Sequence, residues 1–130
     1  MASVCFYFQV HQPCRLRRFS IFEREARYFD EAQNRELCRK VAEKCYLPAN
    51  AVIEELLQRH EGRFKVSYSL TGVIVEQLQL YAPEVIESFQ RLAATGLVEF
   101  LAETYYHSLS FLYSQAEFVA QVALQRELMQ

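Results

Sequence analysis

The opening segment constrains the fold most. Ser3-Val-Cys-Phe-Tyr-Phe-Gln-Val10 is nearly all apolar, β-branched or aromatic, and His11-Gln12-Pro13 follows at once. A short continuous run of this kind suits a strand covered on both faces, as in a parallel sheet. Proline cannot donate to a ladder, so the strand stops there. The N-terminus has no basic region and no small-residue cleavage site behind its apolar run, so it reads as a first strand and not a signal peptide.

The pattern then alternates. Residues 14–34 show no clean period and are rich in Arg and aromatics, among them Arg15, Arg17, Arg18, Phe19, Phe22, Tyr28 and Phe29. Structureless stretches of that length are usually functional or flexible; the Arg15–Arg18 cluster reads as a loop feature ahead of a ligand clamp. Arg35 to Tyr46 is helical, with Cys38, Val41 and Cys45 as a core face. Pro48 interrupts, and Val52, Ile53, Leu56 and Leu57 mark a second apolar face. Glu54–Gln58 and Glu55–Arg59 stand at i, i+4 outside. His60 reads as a helix-end residue and Gly62 as the stop.

Phe64, Val66, Tyr68 and Leu70 alternate with Lys65, Ser67 and Ser69, a period of two and hence a second strand. Thr71 is placed to cap a short helix over 72–80. Pro83 opens another helix and Gly96 closes it, with Val85, Ile86, Phe89, Leu92 and Ala93 as its stripe. Leu97 to Ala102 is the third strand. Ser114-Gln-Ala-Glu117 has the form of a capping box, with Tyr113 and Phe118 placed as a staple, and opens a last helix to Gln130. That helix ends without Gly, Pro or cap, as if the chain were cut.

Strand–helix alternation implies a parallel sheet with helical crossovers, so the fold class is α/β. Three strands do not close a barrel and leave open edges, which natural proteins cover or pair. Residues 1–130 thus read as the first part of a larger α/β unit. Glycine and proline number three each, which favours long regular elements. The apolar fraction of 52% against 23% charged excludes general disorder, and the net charge of −2 speaks against nucleic acid. No run suits a membrane span. The four cysteines form no CxxC and no zinc-type spacing, and read as reduced thiols of a cytoplasmic protein. No motif suggests a nucleotide, NAD, flavin or metal cofactor.

Ligands of α/β folds bind at the carboxyl ends of the strands. Those ends deliver His11 and Gln12, then Ser69 and Thr71, then Glu103, Thr104 and His107. Parallel strands would set them on one rim. Bland roles compete throughout: His11 as a hydrogen-bonded loop residue, His107 as structural, Glu103 as an ion-pair partner. The many Phe and Tyr residues are mostly core, though a few on loops could stack on a ligand ring.

Val4-Cys-Phe-Tyr-Phe-Gln-Val-His-Gln-Pro13 resembles the first signature region of glycoside hydrolase family 57. Gly96-Leu-Val-Glu-Phe-Leu-Ala-Glu-Thr-Tyr-Tyr-His-Ser108 resembles its second. Ala42–Asn50 and Tyr81–Ser88 are similar to its α-amylase-like members, so the resemblance covers essentially the whole chain. It implies the first three βα units of an incomplete (β/α)7 barrel and a retaining mechanism on α-glucans, by hydrolysis or glycosyl transfer. It implies sugar-binding roles for His11, Gln12 and His107, with maltooligosaccharides as ligand. The Glu nucleophile and the Asp acid/base of the family lie on later strands, so no catalytic residue is expected within 1–130. Glu103 joins the substrate-binding set from its strand-end position alone. Two other readings stay open. One is a metal-dependent polysaccharide deacetylase, with His11, His107 and a carboxylate on zinc, although such enzymes usually open with an Asp-Asp motif. The other is a non-catalytic glucan-binding fragment.

Overall fold

The computed structural model describes residues 4–24 and 26–129. Three strands, β1 (Tyr7–Val10), β2 (Val66–Leu70) and β3 (Val98–Phe100), form one sheet in the order β1-β2-β3, with both pairs parallel. Gln9 pairs with Ser69, and Ser67 with Glu99. The α/β class and the parallel sheet agree with the sequence. The helices are α1 (Glu31–Val41), α2 (Leu47–Arg59), α3 (Gly72–Tyr81), α4 (Pro83–Ala94) and α5 (Gln115–Leu128). Ser3 and Gln130, at the outer limits of the expected first strand and last helix, lie outside the described residues. No helix among the described residues is long and apolar enough to cross a membrane.

Side chains alternate across a strand, so the sheet has two distinct faces. Val66, Tyr68 and Leu70 are buried under the helices. Tyr68 meets Phe89 of α4 edge-on with centroids 5.4 Å apart, and its hydroxyl donates to Asn50 Oδ1 of α2. Leu57, Ile74, Leu78, Val85 and Leu92 complete the core between helices and sheet. Each such side chain contributes about 1.5–3 kcal/mol by leaving water. The opposite face carries Tyr7, Gln9, Ser67, Ser69 and Glu99, and Tyr7 Oη lies 2.6 Å from Ser69 Oγ.

Several expectations need correction. β1 is not covered on both faces: Tyr7, Phe8 and Gln9 are exposed and only Val10 of this strand is buried. Within this three-stranded sheet it stands at an edge. Pro48 does not break the helix. The chain stays helical from α1 through a π-turn at Ala42–Tyr46 into α2, with Leu47 N–H bonded to Ala42 O. Proline collides with the carbonyl four residues back, and the wider π-turn relieves that crowding. The inserted residue also rotates the buried stripe. Cys38 and Ala42 are buried, whereas Cys45 is exposed and Val41 only partly covered.

The caps form largely as read. Thr71 accepts from Ile74 N–H, Pro83 opens α4, and Ser114 accepts from Glu117 N–H. Glu117 accepts from Gln121, and Phe118 packs against Phe111 in place of the exposed Tyr113. Glu55 pairs with Arg59 as expected, whereas Glu54 reaches Arg91 of α4 at 3.7 Å. Residues 14–24 and 26–30 are tied down by an Arg15–Asn34 exchange and an antiparallel bridge between Leu16 and Phe29.

Candidate functional site

The carboxyl ends of the strands gather His11, Thr71, Glu103 and His107, together with Gln9. Thr71 ends β2 and caps α3, so its hydroxyl oxygen is spoken for on one side by Ile74 N–H at 3.3 Å. On the other side it lies 2.9 Å from His11 Nδ1. Thr71 is fully buried, which fixes the pair in one geometry.

His107 arrives from beyond β3. The turn after the strand folds back across the end of β2, closed by His107 N–H on Thr104 O at 3.0 Å. His107 itself takes a left-handed conformation with φ 54°. That conformation costs a non-glycine residue about 1–2 kcal/mol, so the surroundings hold it there. Its Nδ1 lies 3.1 Å from Glu103 Oε2, and its ring lies against His11 with centroids 4.8 Å apart at 38°.

Gln9 Nε2 lies 3.0 Å from Nδ1 and 3.4 Å from Nε2 of the same imidazole. A donor in line with one ring nitrogen would be much farther from the other. The amide therefore sits across the ring and leaves the Nδ1 direction to Glu103.

The Glu103 contact sets the His107 tautomer. An ionised carboxylate only accepts, so His107 Nδ1 carries hydrogen toward Glu103 and Nε2 is the acceptor of the neutral ring. Thr71 Oγ1 accepts from Ile74 and retains a second lone pair and its own proton, so it pairs with His11 Nδ1 in either tautomer of that ring. Burial, then the neighbouring His107, lower the His11 pKa below its ordinary value, while Glu103 opposes them. The neutral ring is thereby favoured. Two adjacent imidazoles thus set ring nitrogens side by side that can donate to and accept from a hydroxyl group.

The other rim residues are placed differently. Gln12 turns away: its Oε1 accepts from Arg15 at 3.1 Å, its carbonyl accepts from Gln77, and its side chain also bonds to Tyr46. Ser69 faces Tyr7 within the sheet. Thr104 is used up in the turn with Ser108. Gln9 is not among the strand-end residues that the sequence marks, although strand parity signals it. It is the one amide in the run and stands two residues before His11, on the same face. A second oxygen of Glu103, Oε1, is buried with no hydrogen-bond partner.

No group of three or more His, Cys, Asp and Glu side chains among the described residues has the spacing of a metal site. A cavity of about 500 Å³ lies at the amino ends of the strands, lined by Arg63, Lys65 and Glu99 among others. It is at the wrong end of the sheet for an α/β active site, and none of the clustered side chains reaches it.

The chain is 40% identical over 132 aligned positions to the "Putative alpha-amylase" of Methanocaldococcus jannaschii, covering 96% of this chain and 27% of that protein. The chain therefore spans about a quarter of the length of the curated relative it matches. No solved structure matches. The sequence pattern of Glycosyl hydrolase family 57 matches residues 5–130, and the chain belongs to that family.

Proposed function

We propose that residues 1–130 supply the first three βα units of a retaining β/α-barrel enzyme acting on α-glucans, of α-amylase or 4-α-glucanotransferase type. The observation that carries this reading is the His11–His107 pair, held by Thr71 and Glu103 at the carboxyl ends of parallel strands. In a family 57 chain, such a pair is suited to a sugar hydroxyl. With Thr71 donating to His11 Nδ1, His11 donates from Nε2 and His107 accepts at Nε2. Gln12 acts at one remove, by holding Arg15 and the loop behind His11. The polar sheet face with Tyr7, Gln9 and Ser69 faces the interior of the barrel.

The chemistry supports a division of labour. Retaining cleavage needs two carboxyl groups about 5–5.5 Å apart across the anomeric carbon, one ionised and one protonated. The cluster holds one carboxylate, and that one is engaged by His107. The nucleophile and the acid/base therefore come from other residues of the enzyme, and this segment binds and orients the glucan. The unpaired thiols suit a reducing, cytoplasmic setting.

The test is an activity assay of the natural polypeptide on amylose and maltooligosaccharides. New reducing ends or redistributed chain lengths, lost or sharply reduced in a His11→Ala/His107→Ala double variant, are expected. Full activity in that variant, or action on acetylated polysaccharide that a chelator abolishes, would overturn the reading.

A further inference from the structure

Tyr105 lies midway between Glu103 and His107, and it is among the most tightly held residues of the site. Its ring rests on Gly72, the first residue of α3. A Cβ at Gly72 would lie 2.2 Å from Cε2, 2.3 Å from Cδ2 and 2.4 Å from Cζ of Tyr105. Real side chains never approach so closely, so the seat exists because residue 72 has no side chain.

The ring cannot swing aside to make room. Tyr105 O accepts from Val73 N–H at 3.4 Å, and the Tyr105 hydroxyl donates to Glu76 Oε1 at 2.6 Å. Burial, then the Glu76 carboxylate, push the phenol up to about 12, so it remains a donor at any working pH. Backbone, ring face and hydroxyl are thus each fixed to the first turns of α3. The same helix begins at Thr71, which holds His11. One element therefore references both imidazoles.

We propose that Tyr105 is a positioning residue, clamped by Gly72, Val73 and Glu76, which holds the Glu103–His107 turn across the end of β2 so that His107 lies against His11. β1 and β3 are separated by β2, and within the sheet the Gln9 amide of β1 reaches the His107 ring, so the clamp acts beside that contact. The function of the clamp rests on the reading of the two histidines as sugar-binding groups. Its geometry does not.

The test compares Gly72→Ala, Tyr105→Phe and Glu76→Gln in the full natural chain. Two readouts are taken: the nuclear Overhauser contact between the His11 and His107 rings in histidine-labelled protein, and kcat and KM on a maltooligosaccharide. Alanine favours a helix more than glycine does, so Gly72→Ala should still unfold cooperatively. It should lose the ring contact and about 10- to 100-fold in kcat/KM, the scale of a misplacement near 1 Å. Tyr105→Phe should fall by a smaller factor, and Glu76→Gln, which keeps an acceptor, should stay near wild type. A Gly72→Ala protein that keeps the His11–His107 contact overturns the proposal, whatever its activity. Loss of the contact with unchanged glucan kinetics overturns it as well. Loss of the contact in a chain whose wild type has no action on glucans overturns the glucan reading and leaves the clamp standing.

Discussion

His11 and His107 face each other with ring centroids 4.8 Å apart, although they follow strands that do not pair with each other. Each ring is held by a different oxygen: Thr71 Oγ1 for His11 and Glu103 Oε2 for His107. Thr71 orients the His11 ring and Glu103 orients the His107 ring.

Replacing His107 by alanine in the natural enzyme should lower kcat more than it weakens ground-state binding. Hydrogen bonds to a sugar hydroxyl strengthen as the transition state forms. A lost neutral hydrogen bond of about 0.5–1.5 kcal/mol corresponds to roughly 2- to 13-fold in rate. Steady-state kinetics on maltooligosaccharides would show this, and an unchanged kcat would return His107 to a structural role.

The lowered pKa of His11 gives stability a pH dependence of definite sign. The unfolded chain binds the proton at about 6.5, more readily than the folded one. Below that pH the unfolded state takes up more protons, so stability should fall as the solution is acidified. The charged and titratable groups facing His11 are His107 and Glu103. Melting temperatures between pH 5 and 7.5 should fall less steeply on the acid side for His11→Asn than for wild type.

Thr71→Val keeps the shape of a fully buried side chain while removing its oxygen. The Ile74 N–H loses its cap and His11 Nδ1 loses its partner. A cap is worth about 0.5–2 kcal/mol, and the urea midpoint should drop accordingly. Thr71→Ser retains the oxygen and should stay close to wild type. Equal midpoints for all three proteins would remove Thr71 from the support of the site.

The π-turn predicts a pattern of thiol reactivity. Cys5 and Cys45 are exposed, Cys14 is half-covered and Cys38 is 1% exposed. Burial raises the Cys38 and Cys14 pKa values, with nearby carboxylates adding to the effect, and only the thiolate reacts. Alkylation of the native chain, read by peptide mass, should modify Cys5 and Cys45 first, Cys14 later and Cys38 only on unfolding. A protected Cys45 would mean that the stripe runs straight through Pro48.

Local patterning by itself determined much of this protein. Alternation over Phe64–Leu70 places β2, because a half-buried strand must repeat every two residues. Thr71, Pro83 and Ser114 mark helix starts because each solves a backbone problem that is entirely local. The order of those elements implies the parallel sheet, and the strand ends then point to His11, Glu103 and His107 as neighbours.

Tertiary structure decided the rest. Covering of β1 depends on what packs against it, which its apolar run does not specify. The π-turn turns Cys45 outward because Pro48 needs space at a carbonyl one turn earlier, a three-dimensional conflict with no signature in periodicity. Gln12 has the composition of a ligand-binding residue, yet its side chain is engaged by Arg15 and Tyr46. Above all, Gly72 and Tyr105 are far apart in sequence and ordinary in type. Their contact, which sets His107 over the end of β2, depends on where α3 and the turn after β3 meet in space.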